Sequence, residues 1–243
     1  MIKIEALYTE ACNLYGDRFN MNYLEASLTD AEFIYTSLNQ TPRFATEDVD
    51  FIYLGPMPEK EQEYVIARLL PYRARIMELI EKDKVFLLTG NAFEIFGSYI
   101  QCEDGRRIDG LGIYEGFAVR RMMNRFNSLF LGTVKDENGA DIEVVGFKSQ
   151  FTHTYCDNEG CYAFKSVRGC GINPDSDLEG IRLHNFFGTY LIGPILIFNP
   201  YFAKYLLRLA GVESPTLAFE KESVDAYEVR LKEFHDPKRV YES

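Results

Sequence analysis

Four short runs of β-branched and aromatic residues, IKIEALY (2–8), EFIYTSL (32–38), DFIYLG (50–55) and KVFLLT (84–89), punctuate the first 90 residues. Between them lie segments whose apolar residues recur at helical spacing, MNYLEASLTDA (21–31) and EKEQEYVIARLLPYRARIMELIEKD (59–83). Nearly continuous apolar strands alternating with helices bury both faces of a sheet, which requires helices on each side and parallel crossovers. The pattern therefore predicts an α/β fold: a mainly parallel twisted sheet with helices on both faces. Pro71 falls inside the second helical segment and is expected to kink or divide it, because proline lacks the N–H that a helix interior needs.

The rhythm changes between about residues 106 and 170, where short strands and the turn sequences KDENGAD (135–141) and CDNEGC (156–161) predict an antiparallel hairpin region. FFGTYLIGPIL (186–196) reads as strand-like. NPYFAKYLLRLAG (199–211) reads as a helix with Asn199 as cap, Pro200 in its first turn and Gly211 as its stop. Residues 212–243 are expected to form one more amphipathic helix and a tail, following a single domain over residues 1–211.

Charge and cysteine usage narrow the function classes. Acidic residues outnumber basic ones by 37 to 26, giving a net charge of -11, and such a surface repels nucleic-acid phosphates and anionic lipid. With 47% hydrophobic residues in 243, the chain can bury a large core, yet no apolar run reaches membrane-spanning length and the first ten residues do not read as a signal peptide. A cytoplasmic protein is expected. The five cysteines, at 12, 102, 156, 161 and 170, are too few for a disulfide scaffold and read as reduced thiols. His153 with Cys156, Cys161 and Cys170 invites a zinc reading. The set has one cysteine pair around a four-residue turn, however, where structural zinc sites show two short-spaced pairs, so no metal or other cofactor is expected.

Seven motifs follow in order: NLYGDRFN (13–20), LGPMPEKEQ (54–62), LLTGNAFEIFG (87–97), GLGIY (110–114), VGFKSQFTHT (145–154), GCGINPDSDLEG (169–180) and NFFGTYLIGPILIFNP (185–200). Together they resemble the class I glutamine amidotransferases of the cobyric acid synthase type, and most of all the glutaminase subunits of lipid II isoglutaminyl synthase. The resemblance covers about residues 5–211 and implies a flavodoxin-like fold and a synthetase or Mur-ligase-like protein partner.

It also implies a catalytic apparatus that this chain lacks. In the family a strand leads into Cys-Gly-Gly-Tyr-Gln-Leu-Leu-Gly, whose thiolate attacks the amide of glutamine with help from a histidine in Gly-Thr-Tyr-Leu-His-Gly-Pro. Matched on these motifs, the nucleophile position is Gly90 and the base position Ile192, neither of which can perform the chemistry. Asn91 and Ala92 follow Gly90, and Phe93 and Glu94 replace the family's aromatic and glutamine. The oxyanion loop Gly-Gly-Gly becomes Gly55-Pro56-Met57, with Pro58 next, and proline has no N–H to offer an oxyanion. The family's Gly-Phe-Glu-Asn-His becomes GFKSQ, with Lys148, Ser149 and Gln150, and Arg125 matches the arginine that grips the glutamine carboxylate.

No other residue reads as a replacement. Thr89 is expected to bond nearby backbone, Glu94 to be a solvated or helix-start carboxylate, and His153, His184 and His235 to be surface or capping residues. The expectation is a degenerate amidotransferase-like protein without glutaminase activity that binds or regulates a synthetase or ligase. The alternatives are a binder of amino acids or amides in the former glutamine pocket, and an amidotransferase subunit with non-standard catalysis.

Overall fold

A computed structural model describes residues 1–238; the final five, assigned above to the tail, lie outside the described residues. The first half builds strands β1 (Ile2–Leu7), β2 (Ala31–Thr36), β3 (Phe51–Leu54) and β4 (Val85–Thr89) around helices α1 (Phe19–Ser27), α2 (Glu59–Leu69) and α3 (Arg73–Glu81). One 3-10 turn, Leu70–Tyr72, separates α2 from α3, so Pro71 divides the helical segment as its missing N–H requires. The middle of the chain supplies β5 (Tyr99–Gln101), β6 (Arg107–Asp109), β7 (Phe117–Arg120), β8 (Phe126–Lys135), β9 (Asp141–Gln150), β10 (Thr152–Tyr155), β11 (Phe164–Arg168) and β12 (Leu178–Glu179). The last part adds β13 (Ile181–Leu183), β14 (Phe186–Thr189), α4 (Ile195–Phe198), α5 (Pro200–Leu209) and α6 (Glu220–His235).

The main sheet has the order β2-β1-β3-β4-β14-β13, parallel throughout except that β13 runs antiparallel to β14 at one edge. Side chains alternate between its faces with the period of two that a strand imposes. Ile52, Leu54, Phe86, Leu88 and Phe186 meet Val65 and Leu69 of α2 and Ile76 and Leu79 of α3. Phe51, Tyr53, Val85, Leu87 and Phe187 turn the other way, onto Met21 and Leu24 of α1 and Phe202 and Leu206 of α5. Helices thus cover both faces.

The parallel sheet is only part of the molecule. Two four-stranded sheets, β10-β7-β5-β6 and β12-β11-β8-β9, occupy the middle of the chain. KDENGAD closes the β8–β9 hairpin, with Asp136 Oδ1 accepting from the backbone N–H groups of Asn138 and Ala140 and Gly139 at φ +80°. CDNEGC does not make a hairpin. It leads from β10 in one small sheet to β11 in the other, because Asn158 spends its amide on the carbonyls of Leu178 and Gly180, 3.3 and 2.9 Å away, rather than on its own turn.

FFGTYLIGPIL also differs from expectation. Its strand stops at Thr189, after which side chains capture the backbone: Glu179 Oε1 accepts from Tyr190 N at 2.7 Å and Thr189 Oγ1 accepts from Leu191 N at 3.1 Å. Pro200 opens α5, but the Asn199 side chain does not cap it. Its amide pairs instead with both backbone groups of Val145, each at 2.8 Å, locking the start of α5 to β9.

Helix α6 is fastened to the same region. Tyr227 Oη donates to the Glu143 carbonyl at 3.0 Å, and Arg168 Nη1 reaches the carbonyls of Phe234 and Asp236 at 2.9 and 2.6 Å. Among the described residues no helix is long and apolar enough to cross a membrane.

Candidate functional site

The C-terminal ends of β3, β4 and β14 converge on one buried carboxylate, Asp17 of the NLYGD motif. Its Oδ2 accepts from Tyr53 Oη at 2.6 Å and from Thr89 Oγ1, and its Oδ1 accepts from Gly193 N at 3.0 Å. Asn20, one helical turn on, receives Leu196 N at 2.9 Å. Burial pushes the Asp17 carboxyl above its ordinary value, while these hydrogen bonds pull against that shift. Thr89 is therefore not bonded to nearby backbone; its hydroxyl serves a carboxylate 72 residues away in sequence.

At the end of β4 the chain turns sharply. Gly90 adopts φ +57°, a left-handed conformation that glycine takes without penalty, and Gly90–Phe96 continues as tight 3-10 turns rather than an α-helix. Pro56 and Ile192 close over this point. A Cβ built on Gly90 would lie 2.7 Å from Pro56 Cβ and 2.9 Å from Ile192 Cγ2, closer than real contacts allow. The residues expected at the oxyanion-loop and base positions thus both crowd the expected nucleophile position.

The loop carrying Pro56 offers little to an anion. Pro56 and Pro58 have no N–H, and the Met57 N–H donates to Asn91 Oδ1 at 3.0 Å while Asn91 Nδ2 returns a bond to the Met57 carbonyl at 2.7 Å. Gly55 is pressed against its neighbours: a Cβ there would meet the Cys12 carbonyl oxygen at 2.6 Å and Tyr53 Oη at 2.8 Å.

Beside Gly90 lies a cleft of about 30 Å³, lined by Pro56, Asn91, Glu94, Gln150, Tyr190 and Ile192 among others. That is room for water-sized species, an order of magnitude below the roughly 300 Å³ at which small-molecule sites begin. Glu94 is 1% exposed, contrary to the solvated carboxylate expected. Burial raises it to about 7, although Gln62 Nε2 donates to its Oε2 at 2.9 Å. Its Oε1 has no hydrogen-bond partner, and neither does Gln150 Oε1.

Other candidates lie further off. Phe93 is core, edge-on to Tyr190 with ring centroids 4.6 Å apart. Arg125 is exposed and lies over the Phe151 ring at 4.7 Å, outside the cleft lining. A different arginine, Arg120, approaches Glu94 through Gln62, donating to Gln62 Oε1 at 2.6 Å, and no local motif marked it. Lys148 is wholly buried, donating to the carbonyls of Cys170 and Gly171 at 2.8 and 2.5 Å and pairing with Glu179 at 2.5 Å.

His153 is buried, with Nδ1 3.2 Å from Gln150 Nε2, rather than at the surface; burial lowers it from its ordinary value of 6.5. His184 meets Asp83 at 3.0 Å at the opposite end of the sheet, and His235 meets Glu143 at 2.8 Å. Cys12 and Cys156 are shifted upward by burial, Cys156 to about 12, which leaves their thiols protonated and inert. Among the described residues no three His, Cys, Asp or Glu side chains gather so as to hold a metal ion.

No protein-family model matches the chain. It is 28% identical over 212 residues to the lipid II isoglutaminyl synthase (glutamine-hydrolyzing) subunit GatD of Streptococcus pneumoniae, a match covering 86% of this chain and 80% of the relative. The subunit of the same name from Staphylococcus aureus is 28% identical over 221 residues, covering 89% and 87%. In fold, the chain is similar to PurLQS from Thermotoga maritima, with TM-score 0.54, 14% identity and coverage of 95% of this chain and 99% of that one. It is also similar to a solved glutamine amidotransferase, with TM-score 0.52, 14% identity and coverage of 86% and 100%. The chain is accordingly glutamine amidotransferase-like, in its sequence and in its fold.

Proposed function

We propose that this chain is a glutamine amidotransferase-like subunit that has given up glutaminase chemistry and serves a synthetase or ligase partner in the cytoplasm as a binding or regulatory subunit. Residues 1–211 would carry the amidotransferase-like domain and residues 212–243 would be an addition to it, of which helix α6 braces β8 and β9. The carrying observation is the crowding of Gly90 by Pro56 and Ile192, where a Cβ at residue 90 has only 2.7 and 2.9 Å to its neighbours. A nucleophile, an oxyanion donor and a base all need space for a substrate between them. Three residues that fill that space instead favour a role in shape and association. The partner reading draws on the two similar GatD subunits, which are named as parts of a synthase.

The alternatives fare less well. A cleft of about 30 Å³ leaves no room for an amino acid or amide. Non-standard catalysis would need an accessible nucleophile, and Thr89 is wholly buried with its hydroxyl committed to Asp17.

Labelled glutamine incubated with the purified chain, alone and co-expressed with a Mur-ligase-like synthetase from the same cell, tests the reading. The expected outcome is a stable co-purifying complex that releases no ammonium above the uncatalysed background. Turnover at the level of active glutaminases, or covalent capture of a glutamine-like electrophile at residues 89–94, would overturn it.

A further inference from the structure

The flank of α6 that faces α1 and α4 is apolar and open. A groove of about 470 Å³ runs along it, walled mainly by Phe19 and Tyr23 of α1, Phe198 of α4, Phe219 at the head of α6 and Ala226 within it. Phe219 is 78% exposed and holds φ +49°, ψ +41°, a left-handed conformation that costs a bulky residue energy. Flanking bonds fix it there: Ala218 N donates to Ser27 Oγ at 2.9 Å and Leu217 N to Glu220 Oε2 at 3.0 Å. A strained backbone thus holds an aromatic ring out in solvent. Phe19 and Val229, 57% and 64% exposed, extend the apolar surface around it.

The charges along this flank point to what covers it. Phe219, Glu222, Ala226, Arg230 and Glu233 follow one another at intervals of three or four, so they share one stripe of the helix. Glu222 and Arg230 lie equally far, one turn, on either side of Ala226. A second α6 laid antiparallel, with Ala226 at the crossing, therefore sets Glu222 of each copy against Arg230 of the other, and alanine at the crossing allows a close approach. Self-complementarity of this kind is what a two-fold interface requires.

Neither charge has a partner within its own copy. Glu220 and Asp225 of the same helix pair with Lys204 and Lys221, but among the described residues Glu222 and Arg230 are in no ion pair. The half-buried Arg230 guanidinium lies over the Phe198 ring at 4.4 Å and reaches the Phe198 carbonyl at 3.5 Å, the outer limit of a hydrogen bond. Burial lowers it from its ordinary value, as befits a cation drawn from water without full compensation. A small amphiphile of either charge would be attracted by one of the two groups and opposed by the other; a second copy matches both.

We propose that this flank is a two-fold interface at which a second copy of the chain docks, α6 antiparallel to α6 with Ala226 at the crossing. This goes beyond the reading of the chain as a partner-binding subunit and does not depend on it. The net charge of -11 on each copy opposes association at long range. At about 0.15 M salt that repulsion is screened beyond roughly 8 Å, whereas the two Glu222–Arg230 pairs act at contact.

Sedimentation velocity of the full chain from about 1 to about 200 μM, at that salt, supplies the test. The expected result is a monomer–dimer equilibrium with a dissociation constant on the order of 10 μM. Arg230→Glu and Glu222→Arg, each verified as folded by circular dichroism, are each expected to weaken it at least about tenfold, because like charges then meet at both contacts. An equimolar mixture of the two variants is expected to associate about as well as the parent, since one copy then carries two arginines on the stripe and the other two glutamates. A parent chain that stays monomeric throughout overturns the proposal. So does a dimer that neither variant weakens, or a mixture that stays monomeric while the parent dimerises.

Discussion

Two buried carboxylates a short way apart in the fold, Asp17 and Glu94, have been given opposite surroundings. Asp17 receives Tyr53, Thr89 and the Gly193 backbone, and Glu179 nearby is equally well served by Lys148, Thr189 and Tyr190. Glu94 is as deeply buried, yet one of its oxygens faces a cleft without a donor. All three side chains lie in the sequence motifs on which the resemblance to the amidotransferases rests, Glu94 at a position where the motif departs from theirs, so the motif alone does not tell scaffold from site. Saturation does: the carboxylates that join distant loops have every bond made, and the one that lines the cleft does not.

Removing the saturated group should have the largest effect. Asp17→Ala leaves Thr89 Oγ1 and Gly193 N without their acceptor and Tyr53 Oη with only the Asp17 carbonyl at 3.0 Å, at a combined cost of about 3 kcal/mol from typical penalties for orphaned buried donors. Urea unfolding measures it, and a loss below about 1 kcal/mol would break the contrast, since Asp17 would then be no more a fastening than Glu94.

Glu94→Gln should act in the opposite direction and depend on pH. The unfolded carboxyl titrates near 4.5 and the folded one near 7, so the native state holds the extra proton and stability falls as pH rises between those values. The neutral amide escapes that loss. At about pH 8 the variant should be more stable than the parent by on the order of 3 kcal/mol, and at about pH 4 the two should match. A pH-independent difference in urea midpoints would show that Glu94 is paired after all.

The smallest effect sharpens the picture of the clamp. Thr89→Val keeps the shape of the strand end but withdraws one donor from the Asp17 carboxylate, and should cost about 1.5 kcal/mol by thermal or urea unfolding. A neutral outcome would assign the clamp to Tyr53 and Gly193 alone.

Local pattern carried much of the architecture. The apolar run at 85–89, the breaker at Pro71 and Pro200 at the head of α5 each act through their own neighbours, and each is found where periodicity put it. The failures have a common cause. Asn158 spends its amide on residues 20 and 22 positions away, Thr89 answers Asp17 across 72, and Asn199 leaves its cap position for Val145, 54 residues distant. A hydrogen bond made across the fold overrides the turn, backbone contact or cap that the same residue would favour in isolation.

The same limit governed the site. Glycine at 90, proline at 56 and isoleucine at 192 could be read from their motifs, but the closeness of the last two to Gly90 could not. Glu94 looked like an ordinary acidic residue because neither its burial nor its missing partner leaves a trace in neighbouring sequence. Arg120 carried no local signal at all.

The close fit around Gly90 has a consequence for how this chain can change. A Cβ at that position would meet Pro56 Cβ at 2.7 Å and Ile192 Cγ2 at 2.9 Å, so a substitution there requires its neighbours to shift. A side chain at residue 90 therefore calls for a compensating change at residue 56 or residue 192, so these positions are coupled in any route by which the turn could vary.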